Sequence, residues 1–239
     1  MRSHHDRWQA DRPAPVRLVF LPPAKATLED LLAYSFVQDV RTRQLAVDIT
    51  LVETDYQQVL AGTVADDLQR DVILPMLAES AAPIWMAGIS LGAFNILHHA
   101  SQHAGPLAGQ IAGLVLLAPY PGTADILNEI DACGGPVHWA GQPDVSLLDE
   151  RRWWHWLATR GDTPAVHLGL SAEDRFRHGQ AMLATLVDAE HTLHLPGPHH
   201  WPVWQALWQQ WLDRGHWLSA SPAISPTGLP MTAQNEVTP

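Results

Sequence analysis

Six short runs of apolar and β-branched residues punctuate this chain: Val16 to Leu21, Val47 to Val52, Ile84 to Ala87, Gly113 to Ala118, Val166 to Leu170 and Thr192 to Leu195. Stretches with helical periodicity separate them. A strand that is nearly all apolar has no face to spare for water, so it belongs in a sheet covered on both sides. Strands spaced by helix-length segments pair in parallel through crossover helices. The expected architecture is therefore α/β, a mostly parallel sheet flanked by helices.

The intervening segments fit this scheme. Thr27-Leu28-Glu29-Asp30 carries a helix-start pattern, and Leu28, Leu31, Leu32, Phe36 and Val40 continue at helical spacing. A second helix is expected from about Val64 to Glu79, with Leu68, Val72 and Met76 on one face and Pro75 near its end as a point of bending. From Pro119 to about Thr163 the alternation breaks down. Gly134-Gly135-Pro136, Gly141, Pro143 and the cluster Trp153-Trp154-His155-Trp156 mark residues 119–163 as an insertion or small cap over the sheet. Trp201, Trp204, Trp208 and Trp211 recur at spacings of three, four and three, which sets them along one helical face as core or cap packing. Residues 16–218 make one expected domain, since 239 residues suit a single sizeable core. Residues 1–15 are expected to be flexible, and 219–239, with four prolines and little to bury, to be a disordered tail.

Composition narrows the classes of function. The formal charge is −11 and only 14 residues are Lys or Arg, which argues against a nucleic-acid partner. Cys133 is the only cysteine, so neither an intrachain disulfide nor a cysteine-based zinc site is available. No stretch approaches the 18 apolar residues that span a bilayer, so no membrane span is expected. The first fifteen residues lack the apolar core of a secretory signal, and the expected location is cytoplasmic. No glycine-rich phosphate loop with a lysine is present, and no cofactor is expected. The adjacent histidines His98 and His99 do not themselves have i, i+4 ligand spacing and no acidic cluster accompanies them, so no metal is expected.

Chemistry is concentrated in Gly88-Ile89-Ser90-Leu91-Gly92, a G-x-S-x-G pentapeptide between an apolar run and a helical pattern. A turn tight enough to lift a serine above a strand end leaves little room for side chains two residues either side, and glycine meets that need. A serine hydroxyl is a poor nucleophile at neutral pH, so it needs a base and a third group that orients the base. Asp174, with Glu173 beside it, lies just past the Val166 to Leu170 run. His199 and His200 follow the Thr192 to Leu195 run. Serine, acid and histidine therefore stand in order at the ends of three strands, 84 and then 25 residues apart when Asp174 and His199 are counted.

On these motifs the chain resembles serine hydrolases of the α/β-hydrolase fold, and compact bacterial esterases among them. The resemblance rests on the G-x-S-x-G elbow, the Glu173-Asp174-Arg175 loop and the Gly197-x-His199-x-Trp201 loop, and covers roughly Val16 to Trp217. It implies that Ser90 is the nucleophile, His199 the base and Asp174 the carboxylate that holds the imidazole. It implies an oxyanion hole from the N–H of Leu91 and a second donor after the first long strand. There the chain reads Leu21-Pro22-Pro23-Ala24-Lys25, and since proline has no N–H, Ala24 is the expected donor. Tyr120 and Trp153 are expected to line the substrate site. The implied activity is hydrolysis of a carboxylic ester of a small-molecule acyl substrate through a Ser90 acyl-enzyme. A thioesterase or acyltransferase on the same triad is the alternative, or a non-catalytic binding or scaffold protein, a reading the double proline keeps open.

Overall fold

The computed structural model describes residues 1–105, 109–142 and 149–215. The expected tail, 219–239, lies outside the described residues. In chain order the elements are β1 (Arg2–Asp6), β2 (Val16–Leu21), α1 (Leu28–Ala33), α2 (Phe36–Thr42), β3 (Val47–Glu53), α3 (Tyr56–Ala61), α4 (Val64–Leu68), α5 (Leu74–Glu79), β4 (Ile84–Ile89) and α6 (Leu91–His103). They continue with β5 (Ile111–Leu117), α7 (Ala124–Ala132), α8 (Pro136–Ala140), α9 (Arg151–Thr159), β6 (Ala165–Ser171), α10 (Arg177–Ala184), β7 (Thr192–Leu195) and α11 (Trp201–Arg214). Seven strands form one sheet in the order β1-β3-β2-β4-β5-β6-β7. Every pairing is parallel except β1 with β3.

Side chains alternate across the sheet, and both faces are buried. Val19 and Leu21 of β2, Met86 of β4, and Leu114 and Leu116 of β5 pack under α6 and α9. Leu18, Phe20, Trp85, Ala87 and Leu117 point the other way, against α1, α2 and α11. Trp208 and Trp211 are fully buried there and Trp204 nearly so, which matches the expected tryptophan face. The Trp208 indole also donates to the Phe36 carbonyl at 3.0 Å, joining α11 to α2.

Three local expectations are corrected. Residues 1–15 are not simply a flexible arm: Arg2–Asp6 forms the antiparallel edge strand β1. It is polar and exposed, and is held by its ladder and by pairs such as Arg2–Glu53 at 3.0 Å and Arg41–Asp6 at 2.5 Å. Charge on an edge strand also discourages pairing with other chains. Second, the helix expected from Leu28 through Val40 is two helices. Thr27 caps the first through a reciprocal box with Asp30, but Ser35 at φ 64° breaks the run before α2. Third, the 64–79 helix changes winding before Pro75. The Leu74 N–H reaches the Gln69 carbonyl, five residues back, so a π turn widens the helix just ahead of the proline that cannot donate.

Candidate active site

The three strand ends of interest lie on one edge of the sheet. β4 ends at Ile89, and Ser90 takes φ 52° and ψ −112° before α6 begins at Leu91. A non-glycine residue with positive φ is strained by roughly 1–3 kcal/mol and persists only where its surroundings over-determine it. Three bonds do so here: the Ser90 N–H donates to Leu117 O at 2.9 Å, and the Ser90 carbonyl accepts from Phe94 N at 3.1 Å and Tyr120 N at 3.2 Å. The flanking glycines are needed by the packing. A Cβ at Gly92 would stand 2.6 Å from the Pro22 carbonyl oxygen and closer still to that of Leu21, while one at Gly88 would stand 2.6 Å from the Gly92 carbonyl carbon.

His199 precedes α11 and turns its Nε2 to Ser90 Oγ at 2.8 Å and its Nδ1 to Asp174 Oδ2 at 2.6 Å. A carboxylate only accepts, so Nδ1 carries the proton, and Nε2 is left to accept from the serine hydroxyl. Asp174 is fully buried in this network and Glu173 is exposed; His199 faces inward while His200 is exposed at the start of α11.

The loops that carry Asp174 and His199 are stitched together. Ala172 N–H donates to Leu195 O at 2.9 Å, Glu173 N–H donates to Gly197 O at 3.2 Å, and the Ser171 hydroxyl donates to Gly197 O. Burial alone pushes the Asp174 carboxyl up. Hydrogen bonds from His199, the Phe176 amide and Gln180 outweigh it and hold the group below its ordinary carboxylate range. Two of these partners escape the sequence reading. The Phe176 amide donates to Oδ1 at 2.8 Å, and Gln180 Nε2 donates to Oδ2 at 3.0 Å and to Pro119 O at 3.1 Å. Gln180 lies on the buried side of α10 with Gly179, Met182 and Leu183, and only the tertiary fold reveals its role. The His199 ring sits between the edges of Phe176 and Trp204, at centroid distances of 5.1 and 4.9 Å.

The remaining expected site residues divide. Tyr120 is half-buried between Phe94 and Phe176, 5.3 and 5.1 Å away, and its amide touches the Ser90 carbonyl. Trp153 is corrected: it is fully buried, stacked on Trp154 at 4.8 Å and edge-on to Phe94, so it supports the wall behind Phe94 and presents no face to a ligand. Leu91 opens α6, where backbone N–H groups have no intrahelical acceptor. Ala24 is exposed in the turn closed by Ala26 N–H to Pro23 O at 3.2 Å, and the loop start abuts Gly92.

His99 has an i, i+4 companion that the sequence reading passes over, His103, with ring centroids 4.9 Å apart. His99 Nε2 is bonded to Gln69 Oε1 at 2.8 Å, and burial lowers its pKa to about 3. Among the described residues, the group whose ligand atoms lie close enough for one metal ion is Asp188, Glu190 and His191. It precedes β7, at the opposite end of that strand from His199.

No family model and no curated protein matches the sequence. Solved structures do. A ferulic acid esterase superposes with a TM-score of 0.55 at 10% identity, over 86% of each chain. Est1E from Butyrivibrio proteoclasticus gives 0.54 at 12% identity, over 89% of this chain and 93% of the other. FphF, a fluorophosphonate-binding serine hydrolase of Staphylococcus aureus, gives 0.53 at 14%, over 89% and 88%. This is the α/β-hydrolase fold. Among its described residues the chain has no helix long and apolar enough to cross a membrane.

Proposed function

We propose that this α/β-hydrolase is a serine hydrolase that cleaves a carboxylic ester, with Ser90 as nucleophile, His199 as base and then acid, and Asp174 as the orienting carboxylate. The observation that carries the reading is the continuous Ser90–His199–Asp174 hydrogen-bond line on a strained elbow. In the first half-reaction Ser90 Oγ attacks the acyl carbon as its proton passes to His199 Nε2. The tetrahedral oxyanion takes hydrogen bonds from the Leu91 and Ala24 amides. Collapse breaks the C–O bond, and His199 returns the proton to the leaving alcohol. In the second half, water enters as nucleophile, His199 takes its proton, and the carboxylic acid leaves as Ser90 regains its hydrogen. Asp174 stays ionised throughout and stabilises the imidazolium. Tyr120 and Phe94 wall the site, with Trp153 and Trp154 of α9 stacked behind Phe94. The likeness to esterase structures supports the substrate class.

A fluorophosphonate probe tests the activated serine. Wild type is expected to label and Ser90→Ala to remain unlabelled, with turnover of p-nitrophenyl acetate following the label. Folded wild type that neither labels nor turns over an ester defeats the reading and favours a binding scaffold.

A further inference from the structure

The outer face of α6 forms the floor of a groove of about 490 Å³ that the triad does not occupy. One wall comes from residues 59–65, which include the end of α3, and the other from residues 149–152. Phe94 joins groove and triad: it lines the groove, stands one helical turn beyond Ser90, and contacts Tyr120. Deeper in, Asn95 is 4% exposed and its Nδ2 has no hydrogen-bond partner. A buried donor left unpaired costs free energy unless something supplies an acceptor. Beside it His98, edge-on to Phe94 at 4.5 Å, is kept neutral at ordinary pH because burial lowers its pKa to about 4. Glu150, 8% exposed, takes both Thr123 bonds on Oε1, from the amide at 3.0 Å and the hydroxyl at 2.5 Å. At the rim, Leu60 is 65% exposed on a helix that buries no residue.

Topology says which part of an ester this groove faces. His199 must protonate the leaving alcohol, and it follows β7. The 59–65 wall belongs to the connection that leaves β3, on the other side of β4 from β7. The leaving group therefore lies toward β7 and the acyl group toward the groove. Asn95 is five residues along α6 from Ser90, a rise of roughly 7.5 Å. We infer that the groove selects an acyl group with an apolar body against Phe94 and Leu60 and a terminal hydroxyl or primary amide. Asn95 Nδ2 donates to that group's oxygen, and the Glu150 carboxylate accepts from its O–H or N–H. This inference rests on the ester-hydrolase reading.

The test uses p-nitrophenyl esters of graded acyl length in matched pairs, one methyl-ended and one hydroxyl- or carboxamide-ended. Wild type is expected to show a polar-to-methyl ratio of kcat/KM that climbs to about tenfold once the chain reaches Asn95. Asn95→Leu brings that ratio to one or below, and a ratio within one preparation does not depend on how much enzyme is folded. Leu60→Trp, on the exposed rim, is expected to lower kcat/KM for long esters relative to the acetate by about tenfold. A methyl preference at every length, or a ratio unchanged in Asn95→Leu, overturns the groove while acetate turnover keeps the esterase reading alive. Without any ester turnover or probe labelling, that reading fails separately. The groove is then decided by NMR: the Asn95 side-chain amide signals shift saturably with hexanamide, or the proposal is wrong.

Discussion

Gly92→Ala is a one-carbon change whose effect follows from the packing at the elbow. The new Cβ would stand 2.6 Å from the Pro22 carbonyl oxygen, where real Cβ contacts stay at 3.0 Å or beyond, and the Leu21 carbonyl is nearer still. Both obstacles are backbone, so no rotamer change relieves them. The start of α6 or the Pro22–Lys25 loop must retreat by about half an ångström. These two segments carry the proposed oxyanion donors, Leu91 and Ala24, and loss of one such donor costs about 10²- to 10³-fold. A partial displacement should lower kcat for p-nitrophenyl acetate by about 10- to 100-fold, with about 1–3 kcal/mol lost from stability as for other overpacked sites. Rates are normalised to sites titrated with fluorophosphonate, so that unfolded protein does not count. Gly113→Ala is the control: its Cβ meets the Trp85 ring, inside the core and away from the triad. It should lower the melting temperature and leave kcat per titrated site unchanged. Full kcat in Gly92→Ala would refute the placement of the oxyanion hole between these segments.

His199→Ala should reduce kcat for p-nitrophenyl acetate by about a thousandfold. His200→Ala should stay within about twofold, because His200 is exposed and makes no side-chain cap bond to α11; the reverse pattern would move the base to His200. Asp174→Asn should lower kcat on the order of a thousandfold or more while Glu173→Gln, exposed, has no effect, measured in the same assay. The Asp174 pKa is lowered in the folded state, burial being outweighed by its hydrogen bonds, so its contribution to stability is present above the unfolded carboxylate value and disappears as pH falls through the folded one. Thermal melts followed by circular dichroism should therefore fall more steeply with acid in wild type than in Asp174→Asn below about pH 4. Parallel slopes would contradict the balance of burial and hydrogen bonding drawn here.

The parts of the fold legible in the sequence are those where a local pattern and the tertiary need coincide. Val16–Leu21 is read to the residue because a buried strand is bounded by Pro15 and Pro22, and Thr192–Leu195 because its Leu193-x-Leu195 alternation starts after His191 and stops at Pro196. β1 is illegible for the opposite reason: Arg2-Ser3-His4-His5-Asp6 buries no apolar face, and only the β3 edge makes it a strand. Ser35 looks like any helical residue, yet the chain turns there so that Phe36 can reach Phe20 and Trp208. The proposed site residues Ser90, Asp174 and His199 are readable as candidates because each follows a recognisable strand. Trp153 misleads since its cluster spacing is the same whether the ring packs inward or lines a pocket.

Gln180 shows why part of the site is silent in the sequence. The proposed machinery comprises two units with separate anchors. The acid and base loops are joined to each other through Leu195 and Gly197, and the nucleophile is pinned to β5 and the loop after it through Leu117 and Tyr120. The β5–β6 and β6–β7 ladders space the strand ends that carry these two units. Gln180 spans the gap, with one amide group donating to Asp174 in the first unit and to Pro119, next to Tyr120, in the second. Its side chain is 1% exposed, so water does not compete for those bonds. The Ser90 and His199 loops, 2.8 Å apart at their side chains, thus share a bridge 90 residues beyond the serine in sequence, built from a residue type that carries no catalytic pattern of its own.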